Sequence, residues 1–194
     1  MLEQLMQLDT ELFLFLNGMH NAFFDFIMFW ISQTVVWIPL WIFFIYILVK
    51  NNRKNGLWIV LSLIIAVGLA DFISVHLFKN VFERLRPCHN EEISAMVHIV
   101  KDHCGGQYGF VSSHSTNMFA ISTFMFLALR NKYRFTFFPL FIWAAAIAYS
   151  RIYLGVHYPA DVIGGAILGS SISLVLWLVY GSLKLGVRSS ELEV

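Results

Sequence analysis

Three clusters along the chain gather residues able to do chemistry on an anion. Ser150 to Asp161 sets a cation (Arg151), an imidazole (His157) and a carboxylate (Asp161) between two strongly apolar segments, where ionisable groups are costly unless they face a cavity or a partner. Upstream stand Lys79 with Arg86-Pro87, and then Ser112-Ser113-His114. Pooled, these clusters offer guanidinium and ammonium groups, two imidazoles, hydroxyls and a carboxylate, and a phosphate group would use nearly all of them. Arginine presents a planar fork to two phosphate oxygens, and lysine presents a compact point charge. Because His114 immediately precedes an apolar run, backbone N–H groups around Ser113 and His114 should open a helix and point at a bound anion with the helix dipole behind them.

The elements that must position these residues are membrane helices. The chain has 194 residues, 58% of them hydrophobic and only 13% charged, with a mean hydropathy of +0.69, so its solvent is lipid rather than water. The pattern predicts an all-α, polytopic membrane helix bundle with five to six transmembrane helices and an N-terminal interfacial helix. Residues 1–188 form one domain. Leu192-Glu193-Val194 resembles the start of a protease-site tag, and 189–194 is set aside as a tail. A formal net charge of +1 gives no reason to expect a nucleic-acid partner.

Leu5, Leu8, Leu12, Phe15 and Leu16 recur at helical spacing, as in a helix lying in the membrane interface, and Asn17-Gly18 should end it. No cleavable signal is expected in Met1 to His20, which carries Glu3, Asp9 and Glu11. Ala22 to Val49 exceeds the roughly 20 residues of one straight crossing. It reads as a half-buried helix followed by a kinked span centred on Val35 to Val49, with two separate spans as the alternative. Leu57–Phe78, Thr116–Leu129, Phe135–Tyr149 and Val162–Leu183 are the later spans. Two of them are short enough for their outer ends to sit in a protein pocket. Gly165 and Gly169 form a small-xxx-small pair suited to close helix packing.

Basic residues set the orientation. Lys50, Arg53 and Lys54, then Arg130, Lys132 and Arg134, then Lys184 and Arg188 mark cytoplasmic segments. Lys79 to Ser113 and Ser150 to Asp161 then share the opposite face, the periplasmic or extracellular one in a bacterial cytoplasmic (inner) membrane.

Lys79 through Arg86-Pro87 reads K-x6-R-P, and Ser150-Arg151 through Asp161 reads S-R-x5-H-x3-D. Both resemble motifs of the type 2 phosphatidic acid phosphatase superfamily. Its middle motif, P-S-G-H, appears as Val111-Ser112-Ser113-His114, with proline and glycine replaced. The resemblance runs from about Leu57 to Leu183 and implies a membrane lipid phosphatase of the phosphatidylglycerophosphatase B or undecaprenyl diphosphatase kind. It implies His157 as nucleophile, Asp161 orienting it, and His114 as general acid and then base. Lys79, Arg86, Ser112, Ser113 and Arg151 would bind phosphate, with no metal or other cofactor. Undecaprenyl diphosphate is the first-choice substrate, with phosphatidylglycerol phosphate, phosphatidic acid and lipid A phosphates as rivals. Phosphotransfer to a lipid hydroxyl and, further off, anion transport are the alternative activities. Oligomeric state stays open.

Off these motifs, His76 reads as a packing residue, Asp71 as a buried partner for a cation, and Arg84 as a rim residue attracting anionic head groups. Cys88 and Cys104 would form a disulfide in an oxidising compartment. The rival is a metal site using them with His89, His98 and His103, although no standard zinc spacing is present.

Overall fold

The computed structural model describes residues 1–52, 55–102 and 104–190. The tail beyond 190, His103, and Arg53 and Lys54, which are among the basic residues expected to set the orientation, lie outside the described residues.

Helix α1 (Leu2–Gly18) turns Leu5, Leu8, Leu12 and Phe15 outward and buries Phe13 and Asn17, the pattern of a helix with one face in lipid and one on protein. Asn21 caps α2 (Ala22–Ser32) through its side-chain oxygen, which accepts from the Phe24 N–H at 3.0 Å. The two helices meet at a bend of 114°. Extended backbone at Gln33 breaks α2, a 3-10 turn follows over Thr34–Trp37, and α3 (Ile38–Asn51) carries Pro39 in its first turn, where a missing N–H costs nothing. The expected half-buried helix and the crossing after it are both present, as α2 and Thr34–Asn51, with Pro39 in the first turn of α3.

Helix α4 (Gly56–Ile73) runs on through a π-helical stretch, Ser74–Lys79, and a last turn, Asn80–Phe82. It stops at Glu83 with φ 46°. Then come α5 (Ser113–Leu129), α6 (Phe137–Tyr153) and α7 (Pro159–Ser190). Among the described residues four segments are long and apolar enough to cross a membrane, Thr34–Asn51, Gly56–Phe82, Arg134–Tyr153 and Pro159–Leu183, or five if the bent α1–α2 pair counts as one. Helix α5, with 17 residues, is about 25 Å long, at the short end of the spanning range as expected. It forms the buried axis of the bundle, packed against α4, α6 and α7.

The core is built around that axis: Met118, Ile121, Phe124 and Met125 of α5 pack with Leu63, Ala66, Ala144 and Ile147. On the α7 side the small residues work as expected. A β-carbon at Gly165 would stand 2.6 Å from the Ser112 carbonyl oxygen, and one at Gly169 would collide with the Thr116 carbonyl. Hydroxyls bridge the same seam: Ser115 Oγ donates to Val162 O at 2.7 Å and Ser173 Oγ to Ala120 O at 2.7 Å, satisfying donors that lipid cannot.

The segment from Glu83 to Ser112 folds over one end of the bundle. An antiparallel bridge pairs Leu85 with Tyr108, and Cys88 is disulfide-bonded to Cys104 with their Cα atoms 6.1 Å apart. The metal alternative loses its ligands. His98 faces Asp25, Nε2 to Oδ1 2.9 Å, and stacks on His20. Among the described residues only His89 approaches the sulfurs, which are bonded to each other.

Candidate active site

Four helix ends and the folded segment converge where the sequence motifs meet. Ser112 caps α5: its N–H donates to the Asp161 carbonyl at 3.0 Å, and its hydroxyl accepts from the Ser115 N–H. That fixes the start of α5 to the first turn of α7, placing His114 in the same electrostatic surroundings as His157, Lys79, Arg86 and Arg151. The wide π turn of α4, a feature frequent at functional sites, carries Lys79. Its Nζ donates to Ser113 Oγ at 2.7 Å, and the Ser74 hydroxyl lies 2.8 Å from the same oxygen.

Arg86 is 9% exposed and is aimed by main-chain carbonyls. Nε donates to Tyr108 O at 3.2 Å, and Nη1 to Cys104 O at 2.8 Å. Burial pulls its guanidinium below the ordinary arginine value, and nearby Asp161 partly offsets this. Arg151 comes from the last turn of α6, with Nη1 bonded to the Ser32 hydroxyl. Its buried Nε has no hydrogen-bond partner. Among the described residues every ion pair involves Arg84, His98 or His157. Lys79, Arg86 and Arg151 thus stand together without carboxylate partners. Clustered cations with no counter-charge are unfavourable alone and favourable around an anion.

His157 is 2% exposed and Asp161 fully buried. Asp161 Oδ2 accepts from the Tyr158 N–H at 3.0 Å and lies 3.4 Å from His157 Nδ1. Gly109 makes room for the pair, since a β-carbon there would stand 2.9 Å from Oδ2 and 3.5 Å from Nδ1. With Nδ1–H directed at Asp161, the other ring nitrogen carries the lone pair. Burial first, and then the charges of Arg86, Arg151 and Lys79, hold the imidazole well below its usual pKa, so it is neutral at pH 7.

The structure thus brings His157, Asp161, His114, Lys79, Arg86, Ser113 and Arg151 together. Ser112 differs in role: its fully buried hydroxyl serves the helix cap. Outside the motifs, His76 is the packing residue expected, whereas Asp71 and Arg84 depart from expectation. Asp71 is exposed and accepts from Asn117 Nδ2 at 3.2 Å, with no cation paired to it among the described residues. His76 packs on Phe72 and is exposed. Arg84 does not sit at the rim: it bonds Asp161 Oδ1 at 2.9 Å and Asp9 Oδ2 at 2.6 Å. Asp9 carried no sequence signal of this role: four positions after Leu5 and three before Leu12, it read as one more polar residue on an interfacial helix.

Fold and site together define a polytopic membrane protein with a phosphate-handling centre at one end of its helix bundle. Residues 55–184 match the PAP2 superfamily, and the chain belongs to that superfamily. It is 36% identical over 171 residues to the lipid A 4'-phosphatase of Bacteroides thetaiotaomicron, covering 87% of this chain and 75% of that protein. It is 30% identical over 176 residues to the undecaprenyl-diphosphatase of Sulfolobus acidocaldarius, covering 89% and 79%. The fold is shared with the crystal structure of a transmembrane PAP2-type phosphatidylglycerolphosphate phosphatase from Bacillus subtilis, at a TM-score of 0.71 and 19% identity over 92% of this chain and 87% of that one. The chain is a membrane phosphatase of this superfamily.

Proposed function

We propose that this enzyme removes a phosphate from a bacterial membrane lipid through a covalent intermediate on His157, with a lipid A phosphate as the first-choice substrate. The observation that carries the reading is the trio Lys79, Arg86 and Arg151, none of them ion-paired to a carboxylate among the described residues, gathered around two imidazoles. The unaligned His157 nitrogen attacks phosphorus while the bond to the leaving oxygen breaks, and His114 donates a proton to that oxygen. The three cations and the Ser113 hydroxyl hold the equatorial oxygens, where charge builds up. His114 then takes a proton from water, the resulting hydroxide attacks phosphorus, and the N–P electron pair returns to the imidazole. Asp161 fixes the tautomer and stabilises the imidazolium.

The substrate order rests on the relatives. A lipid A 4'-phosphatase at 36% identity supports a lipid A phosphate over undecaprenyl diphosphate, the first choice on motifs alone, which the 30% relative keeps second. The periplasmic placement rests on Lys50, Arg130, Lys132 and Arg134 at the opposite end of the bundle. Anion conduction has little support, because Leu63, Phe124, Met125 and Ala144 fill the bundle below the site. The test is phosphate release from a panel of lipid A, undecaprenyl diphosphate, phosphatidylglycerol phosphate and phosphatidic acid, with chelator present and with His157→Ala and His114→Ala. Fastest release from lipid A, abolished in both variants, is expected. Release by His157→Ala at the parent rate overturns the nucleophile, and transfer of phosphate to a lipid acceptor replaces hydrolysis with phosphotransfer.

A further inference from the structure

Helix α1 is attached at two points to the segment that joins α6 to α7 and carries the nucleophile. Near its end, the buried Asn17 amide donates to Tyr153 O at 2.8 Å and to His98 O at 3.0 Å, and accepts from the His98 N–H at 2.8 Å. It thereby satisfies a carbonyl that α6 leaves open at its C-terminus. One half of α1 earlier, Asp9 Oδ1 accepts from the Ala160 N–H at 2.8 Å and so caps the start of α7 from another helix. The other Asp9 oxygen binds Arg84, which also lies over the Tyr158 ring, 4.1 Å from its centroid.

Arg84 is therefore held on two sides, by Asp9 and the Tyr158 ring, and its remaining contact is Asp161 Oδ1. A carboxylate rotates easily about its last torsion. With Oδ1 fixed by Arg84 and Oδ2 bonded to the Tyr158 N–H, Asp161 keeps Oδ2 towards His157 Nδ1. Charge points the same way. A fully buried carboxylate needs a counter-charge. If Asp161 drew it from Arg86 or Arg151, the phosphate would lose a cation. Arg84 supplies it instead, shared with Asp9.

We propose that Asp9 and Arg84 are positioning residues for the hydrolytic reaction: they hold Asp161 aligned on His157, and through them the lipid-facing helix α1 becomes part of the catalytic apparatus. This rests on His157 being the nucleophile, as proposed above. Leu5, Leu8, Leu12 and Phe15 face outward on the same helix, so the alignment of the nucleophile depends on how α1 sits in the membrane interface.

The experiment compares Asp9→Asn, Arg84→Gln, Arg84→Lys and the Asp9→Asn/Arg84→Gln double variant in detergent–lipid micelles, with lipid A as substrate. It measures kcat, KM and the thermal midpoint. Asp25→Asn is the control, because it breaks a comparable anchoring pair, His98–Asp25, on α2. The expected result is a fall in kcat on the order of tenfold to a hundredfold in Asp9→Asn and Arg84→Gln, with KM within about twofold. Arg84→Lys recovers part of the rate, and the double variant is no slower than Arg84→Gln because the two act as one chain. Asp25→Asn lowers the midpoint as much while keeping kcat. The inference is overturned if folded Asp9→Asn and Arg84→Gln turn over at the parent rate, or if kcat merely follows the midpoint across all variants including Asp25→Asn. Its failure is separable from failure of the hydrolytic reading, in which His157→Ala would itself stay active.

Discussion

The spacing between His114 and His157 depends on how closely α5 approaches α7, and Gly165 sits at that contact. In Gly165→Ala the new β-carbon would lie 2.6 Å from Ser112 O and 3.0 Å from both Ser115 Cβ and Thr116 Oγ1, whereas ordinary contact begins at 3.4 Å. The Ser112 carbonyl cannot rotate aside, since it accepts from the Thr116 N–H and from Thr116 Oγ1, both at 2.9 Å. Helix α7 must therefore retreat by the better part of an ångström. Overpacking of this kind costs about 1–3 kcal/mol. The Ser112 N–H also holds the Asp161 carbonyl at 3.0 Å, so the retreat disturbs acid and nucleophile together, and a misplacement of about 1 Å reduces turnover about 100-fold. Steady-state phosphate release in micelles, with thermal unfolding of the same samples, measures both effects. Gly181→Ala, on the same helix with nothing within 4 Å of the added carbon, should match the parent. Parent-like kcat and midpoint in Gly165→Ala would refute the reasoning.

Reducing the Cys88–Cys104 bond frees a segment spanning 16 positions, whose closure is worth about 3 kcal/mol. It also loosens the Cys104 carbonyl on Arg86. Loss of one such charged hydrogen bond, about 1.5–3 kcal/mol, should lower kcat/KM about tenfold or more while the bundle stays folded, as read by activity against free-thiol titre and circular dichroism. In pH–rate profiles, the lowered pKa of His157 keeps it unprotonated as pH falls through 6.5, so kcat/KM should not show the acid limb of an ordinary imidazole there. Arg151→Gln removes one of the charges that lower it, and the limb attributable to His157 should move to higher pH. Vanadate, which takes up the five-coordinate geometry of phosphoryl transfer, should inhibit competitively, and Arg86→Ala should weaken that inhibition.

Much of the site was legible because its chemistry is written in short spacings. Arg151, His157 and Asp161 fall within one turn and its flanking helix ends, and Lys79 and Arg86 flank one helix terminus. Hydropathy gave the crossings for a similar reason. At α5 it gave a short span opened by Ser113, His114, Ser115, Thr116 and Asn117, but not its central place, since burial depends on neighbours that a window of sequence does not contain. What stayed hidden was long-range pairing. Arg84 finds Asp9 and Asp161 across 75 and 77 positions, and Asn17 reaches Tyr153 across 136. Single polar residues on different elements leave no periodic trace, so Arg84 looked like a surface cation. Asp71 misled in the opposite direction: its place in an apolar helix suggested burial, but it lies on the outward side with Asn117 as partner.

The central claim is that phosphate passes through His157. Purified enzyme is mixed with lipid A labelled with radioactive phosphate, quenched in alkali and digested. The account predicts label on the peptide containing His157, accumulating in His114→Ala, where attack by water lacks its base, and absent in His157→Ala. Continued phosphate release in His157→Ala, or label on another residue in the active parent enzyme, would contradict it.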